Sequence, residues 1–269
     1  MQEDGATAES GRQEQPNRPR VIDWVFTIPF LLAFGLVLLV FDPLQRLARL
    51  FGQRPQEIVA GVLQAALIQT FKLSGMRLEV ERSPEVKPHT PYVIISNHQS
   101  MFDVPIFGGL LFTNYPKYVS KRSLGRGIPS ISYNLRRGGN ALIDRDDRGQ
   151  AQAEIRALGE RAVQRGVSVV IYPEGTRSRD GELRPFKPGG TLTLLKAAPR
   201  LAVVPAAIDG SWKLLRYNLL PVPFGVVVRV RFSDPILRLP EEDASVLLER
   251  AQAEISATLE RWRSAGQRN

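Results

Sequence analysis

Two residues able to exchange a proton, His98 and Asp103, lie five positions apart in the stretch Ser96-Asn97-His98-Gln99-Ser100-Met101-Phe102-Asp103. An imidazole held by a carboxylate is the base-and-orienter half of a catalytic group that takes a proton from a hydroxyl as it attacks a carbonyl. Spacing alone does not bring the two together. Inside one helix, five residues at about 100° each would put them roughly 140° apart, on different faces. A helix that begins between them removes the difficulty. Ser100-Met101-Phe102-Asp103 reads as S-x-x-D, a capping box with Ser100 as N-cap and Asp103 at N3. His98 then lies on the corner before the helix, and Asp103 is one turn in, within reach of the imidazole. The same letters also fit a plain helix cap preceded by a loop histidine, so the elements around them have to discriminate.

Those elements are a strand and a helix. The apolar run Tyr92-Val93-Ile94-Ile95 precedes the corner and Val104-Pro105-Ile106-Phe107 follows it. From Gly75 onward, short apolar strands alternate with helical stretches. Strands are expected at 77–80, 92–96, 117–120, 140–144, 167–172, 202–208 and 226–232, and helices at about 101–111, 129–135, 150–164 and 191–198. After Pro240, Leu248, Ala251, Ile255, Leu259 and Trp262 recur at helical spacing, which predicts an amphipathic closing helix. The pattern predicts an α/β fold: a mixed, mainly parallel sheet of about seven strands flanked by helices, with active residues in loops at the carboxyl ends of strands. His98 is at such an end.

The chain has 269 residues and 43% hydrophobic content, enough for one large or two small domains. It has no cysteine, which excludes disulfides, thiolate nucleophiles and Cys-based metal sites. With two histidines and no H-E-x-x-H, no protein-held transition metal is expected. A net charge of +9 and a pI near 10.1 call for an anionic partner. No zinc-finger or RRM signature is present, and an apolar N-terminal segment favours membrane lipid over nucleic acid. Residues 1–20 read as a disordered tail. Trp24 to Phe41 is an uncharged stretch bounded by Asp23 and Asp42, about 27 Å long as a helix. A second, amphipathic segment runs from Ile58 to Gln69. The pair could form a hairpin dipping into one leaflet, or one span followed by an interfacial helix. Residues 21–75 are thus expected to be membrane-anchoring helices, and 76–269 the catalytic domain with its closing helix. Arg46, Arg49 and Arg54 after the apolar stretch, against Arg18 and Arg20 immediately before it, lead to the expectation of that domain on the cytoplasmic face, in a bacterium at the inner membrane.

The string Asn97-His98-x-Ser100-x-x-Asp103 at the end of a strand resembles the first signature block of the glycerolipid acyltransferases, the 1-acylglycerol-3-phosphate (lysophosphatidic acid) acyltransferase family. Three further stretches resemble that family's later blocks in the right order. Gly139-Asn140-Ala141-Leu142-Ile143-Asp144-Arg145 is similar to the second, with Leu142 where an aromatic is usual. Glu174-Gly175-Thr176-Arg177 after the strand Val169 to Tyr172 is similar to the third, and Ala202 to Ile208 with its central Pro205 to the fourth. Phe186-Lys187-Pro188-Gly189 resembles the family's Phe-Lys-x-Gly, with Pro188 where a second basic residue is frequent.

The resemblance implies transfer of a fatty acyl group from acyl-CoA or acyl carrier protein to the sn-2 hydroxyl of 1-acylglycerol-3-phosphate, giving phosphatidic acid. It implies no cofactor beyond the thioester co-substrate. His98 would be the general base and Asp103 its orienter. Substrate would be bound by Arg145, Glu174, Gly175, Thr176, Arg177 and Lys187, with Arg177 on the acceptor phosphate and the Glu174-Gly175 pair placing its glycerol hydroxyls. Two other readings stay open: the same chemistry on another lysolipid such as a lyso-aminolipid, and a non-catalytic protein that binds anionic membrane through its basic face. An intact His98/Asp103 pair distinguishes the enzyme from the latter, and a panel of lysolipid acceptors distinguishes the two enzymes.

Overall fold

The structure, a computed structural model, describes residues 18–238 and 242–266. The expected N-terminal tail, through residue 17, and Pro240 lie outside the described residues. Seven strands form one sheet: β1 (Arg77–Arg82), β2 (Tyr92–Ser96), β3 (Lys117–Lys121), β4 (Ala141–Ile143), β5 (Val169–Ile171), β6 (Ala202–Asp209) and β7 (Val227–Phe232). Their order is β1-β7-β6-β2-β5-β3-β4. All neighbours are parallel except β6 and β7, so the expected mixed, mainly parallel sheet is what forms.

β2 occupies the middle. It is buried on both faces at all five positions, which is why Tyr92-Val93-Ile94-Ile95 carries no polar alternation. Alternate residues feed two cores. Ile94, Val170 and Val204 point to a layer with α1 (Val21–Leu50), α2 (Gln53–Thr70) and α3 (Asp103–Leu110). Val93, Ile95, Val169 and Val203 point to the opposite layer, built from α5 (Arg148–Arg165), α6 (Pro188–Ala197) and α7 (Ala244–Gly266), the expected closing helix. α4 (Ile131–Arg137) sits beyond the β3–β4 edge and touches α1. Because β2 to β6 share one direction, the loops after Ser96, Lys121, Ile143, Ile171 and Asp209 all emerge at the same end of the sheet.

The N-terminal helix differs from its expectation in length and in the role of its acids. It runs through both Asp23 and Asp42, with Pro29 and Pro43 inside it. The acids do not end the helix; they tie it to the domain. Asp23 accepts the backbone N–H of Phe224 at 2.8 Å, and Thr27 Oγ1 accepts that of Val222 at 2.9 Å. Toward the other end, Asp42 accepts the N–H of Ser130 at 2.7 Å, Ser130 Oγ donates to the Leu38 carbonyl at 2.6 Å, and Gln45 Nε2 donates to the Ser130 carbonyl at 3.2 Å. Between them Phe30 is buried against Phe71, ring centroids 4.8 Å apart, and Phe71 meets Phe102 edge-on at 4.7 Å. Each such buried phenyl is worth about 1.5–3 kcal/mol. One face of α1 therefore belongs to the core, while Ile28, Leu32, Leu36, Leu39 and Leu47 remain exposed on the other.

A candidate active site at the carboxyl ends of the central strands

The corner after β2 brings His98 and Asp103 together. Asp103 Oδ2 lies 2.8 Å from His98 Nδ1 and also accepts the backbone N–H groups of Gln99 at 2.7 Å and Ser100 at 2.9 Å. An oxygen already accepting two N–H groups presents lone pairs to the ring, so Nδ1 is the donor and Nε2 is left as an acceptor. Asp103 is fully buried and the His98 side chain is 15% exposed.

The helix start is not the expected capping box. Phe102 is the N-cap and Asp103 the first helical residue, after a turn in which Asp103 N–H bonds the Ser100 carbonyl at 3.2 Å. Ser100 Oγ accepts from Phe102 N–H at 3.2 Å rather than from N3. The carboxylate at N1 reaches backward to the amides of the corner, where it satisfies three donors at once, and this draws the helix start down to Asp103.

Neighbouring strands complete the cluster. From the loop after β6, Ser211 Oγ donates to Asp103 Oδ1 at 2.6 Å. Asn97 pins the corner to β6 through paired bonds with the N–H (2.9 Å) and carbonyl (2.8 Å) of Ile208. After β5, the Tyr172 ring stacks on the imidazole at a centroid distance of 4.1 Å and 14° between planes. Ser178 N–H bonds the His98 carbonyl at 2.7 Å. Neither Ser211 nor Tyr172 stood out in the sequence; the signal for Ser211 was its place three residues beyond a predicted strand.

Glu174 is bonded to backbone amides on both of its oxygens. Its carboxylate is buried and accepts the backbone N–H of His98 at 2.6 Å through Oε1 and of Arg184 at 3.2 Å through Oε2. It holds the His98 backbone and the Arg184 loop. Burial pushes its carboxyl above the ordinary glutamate range, against those two bonds. Burial likewise pushes the Tyr172 phenol well up, with the nearby Asp103 charge adding to the effect.

A cavity of about 190 Å³ opens beside the imidazole. His98, Tyr172, Gly175, Arg145 and Lys187 line it, together with the start of α6. Gly175 has a left-handed φ of +67°, which a side chain would resist, and Lys187 crosses it, with Nζ 3.9 Å from where a Cβ would stand. Arg145 thus enters the site from β4, 47 residues along the chain from His98. Thr176 and Arg177 are exposed on the turn beyond, outside this lining, and Arg177 makes no ion pair among the described residues. Two further concavities adjoin. An open one of about 500 Å³ carries Lys121, Arg122, Arg126 and Arg145 with Asp144 and Asp146. An apolar one of about 270 Å³ lies between the α1–α2 pair and α3–α4, lined by Phe34, Leu38, Leu67, Phe102 and Leu135 among others.

Comparison with known proteins agrees with this geometry. Residues 77–209 match the family model described as Acyltransferase. The 1-acyl-sn-glycerol-3-phosphate acyltransferase beta of Homo sapiens is 33% identical over 139 residues, covering 51% of this chain and 49% of that protein. The 1-acyl-sn-glycerol-3-phosphate acyltransferase of Salmonella typhimurium is 26% identical over 199 residues, 73% of this chain and 77% of that one. The chain thus spans about half the length of the human relative and most of the bacterial one. Among solved structures, the 1-acyl-sn-glycerophosphate (LPA) acyltransferase PlsC from Thermotoga maritima shares the fold, with a TM-score of 0.68 at 19% identity over 90% of this chain and 96% of that one. With the signature residues gathered at one end of a sheet of this topology, residues 77–209 match the Acyltransferase family model and the chain is similar to 1-acyl-sn-glycerol-3-phosphate acyltransferases.

Proposed function

We propose that this protein transfers a fatty acyl group from a thioester donor, acyl-CoA or acyl carrier protein, to the free sn-2 hydroxyl of 1-acylglycerol-3-phosphate. One observation carries the reading: His98 Nδ1 is bonded to Asp103, and the ring lines a cavity shared with Arg145 and Lys187. Nε2 takes the hydroxyl proton as the hydroxyl oxygen attacks the thioester carbonyl, and the imidazolium, stabilised by Asp103, returns it to the departing thiolate as the C–S bond breaks. Arg145 and Lys187 supply positive charge for the acceptor phosphate, with Arg177 at the rim. The open basic concavity beside Arg145 suits the phosphates that accompany the donor thiol. The apolar cavity behind Phe102 offers room for a fatty chain.

The protein sits on the membrane through α1 and α2. α1 is long and apolar enough to cross a bilayer. Asp23 and Gln45, however, both bond the globular domain, and they are about 33 Å apart along the helix, about the full thickness of a hydrocarbon core. A domain on one side of a membrane cannot hold both ends of a crossing helix, so α1 lies in the plane of one leaflet with its exposed apolar face in lipid.

The test is an acyl-transfer assay of purified protein with lysophosphatidate, a lyso-aminolipid and an uncharged monoacylglycerol, each with both donor types. The reading expects turnover of lysophosphatidate that His98→Ala abolishes while thermal stability stays unchanged. Substantial turnover by His98→Ala would remove the general-base assignment, and preference for the lyso-aminolipid would change the acceptor.

A further inference from the structure

The cavity beside His98 ends on the first turn of α6, and three observations about that turn converge. The helix opens with Pro188-Gly189-Gly190-Thr191, and no side chain caps it. Pro188 has no N–H and Thr191 N–H closes the first turn on the carbonyl of the N-cap Lys187, so the backbone donors left without intrahelical partners belong to Gly189 and Gly190. A Cβ at Gly189 would meet nothing within 4 Å, so that side of the turn is open, while one at Gly190 would stand 3.2 Å from Ile155 Cδ1. Second, Thr191 is 1% exposed and its Oγ1 has no hydrogen-bond partner, yet the residue lines the cavity. A buried hydroxyl left unbonded is costly in a folded protein, and such groups ordinarily have a partner. Third, Lys187 and Arg145 line the same cavity with no ion-pair partner among the described residues. Uncapped helix dipole, orphan hydroxyl and two unpaired cations all favour the same occupant, an anion with several acceptor oxygens.

We propose that the first turn of α6, with Thr191 Oγ1, Lys187 and Arg145, is the binding site for a phosphate monoester, and that within the acyl-transfer reading it holds the sn-3 phosphate of the acceptor. The phosphate oxygens accept from Gly189 and Gly190 N–H and from Thr191 O–H, and the cations balance the charge. Because His98 lines the other end of the same cavity, a phosphate anchored here sets how far the glycerol backbone extends toward Nε2. Thr191 is therefore a specificity-determining residue. Arg177, exposed and outside the cavity, contributes less to affinity than Thr191 does.

The hydroxyl separates this role from a structural one. Thr191→Val keeps the branched shape and removes only an unpartnered hydroxyl, so the folded protein should melt at the same temperature or higher. Thr191→Ser keeps the hydroxyl. The probe is sn-glycerol 3-phosphate, titrated calorimetrically into full-length protein in lipid nanodiscs, with glycerol as the control. Wild type should bind glycerol 3-phosphate and not glycerol, Thr191→Val should weaken binding by roughly tenfold or more, the cost of a hydrogen bond to a charged group, and Thr191→Ser should bind within a few-fold of wild type. Failure of wild type to bind glycerol 3-phosphate, or equal affinity in Thr191→Val, overturns the site. The acyl-transfer reading is judged separately, by wild-type turnover of lysophosphatidate. If that turnover is present and its KM is unchanged in Thr191→Val, the reaction stands and the phosphate lies elsewhere.

Discussion

Ser211 Oγ lies 2.6 Å from Asp103 Oδ1, although 108 residues separate them in the chain. The bond fills the one side of the carboxylate that the His98 corner leaves open, since Oδ2 already takes His98, Gln99 and Ser100. A carboxylate bonded on both oxygens cannot rotate, so the imidazole is held in one orientation. Ser211→Ala should therefore lower kcat by roughly tenfold with little change in KM, and Ser211→Thr should recover most of the loss, because it restores the hydroxyl. Steady-state kinetics of the three proteins on lysophosphatidate decide it; a loss confined to KM would assign Ser211 to substrate binding instead.

Arg145 and Arg177 both belong to the expected phosphate clamp, but only Arg145 lines the cavity with His98. Arg145→Ala is expected to raise KM for lysophosphatidate by roughly 10- to 150-fold, the worth of a charge-assisted pair, and Arg177→Ala by a smaller factor. The same variants on an uncharged monoacylglycerol should differ little from wild type. A larger loss from Arg177→Ala than from Arg145→Ala would reverse the order of the two.

The proposed in-plane placement of α1 can be tested directly, because the chain has no cysteine to interfere with site-directed labels. Spin labels on single cysteines at Ile28, Leu32, Leu36, Leu39 and Leu47, all on the exposed apolar face, should report similar shallow depths in lipid bilayers. A crossing helix would instead give a depth that peaks near Leu36 and returns to the opposite surface at Leu47.

A different group governs how α2 is fastened to the sheet. Glu57 on α2 is buried among Lys117 of β3 at 2.9 Å, Arg165 at the end of α5 at 3.0 Å and Arg54 at 3.2 Å. Burial is the largest influence on Lys117 and brings its pKa from 10.5 down to about 8, with Glu57 opposing and the two arginines adding to the fall. Between those values the unfolded chain carries a proton on this lysine and the folded chain does not, so the contribution of Lys117 to stability rises as pH rises from 8 to 10.5. Below pH 8 the charged, buried ammonium costs up to about 3 kcal/mol, a constant burden. Urea unfolding of wild type and Lys117→Met at pH 7 to 11 should show wild type gaining on the variant across that window. A constant difference between them would show that Lys117 titrates normally.

Much of the site's chemistry was legible in the linear sequence because it is local. Apolar runs fixed the strands, alternation of strands with helical stretches implied the parallel sheet, and the corner between Ile95 and Val104 put His98 and Asp103 within one turn of each other. Local rules misplaced only the way the corner is capped, because S-x-x-D describes a helix end in isolation. In the folded protein, the Asp103 carboxylate has an imidazole and two loop amides to satisfy as well. The roles of Ser211, Glu174 and Thr191, and the course of α1, were set by tertiary structure. Each depends on which strands lie side by side, and hydrophobic periodicity says which residues are buried without saying against what. Placing β2 between β6 and β5 puts Ser211 on one side of the His98 corner and Glu174 on the other. That same order makes Glu174 a clamp on backbone amides, and bonds to Val222, Phe224 and Ser130 make a stretch long enough to cross a membrane into a helix bonded to the domain at both ends.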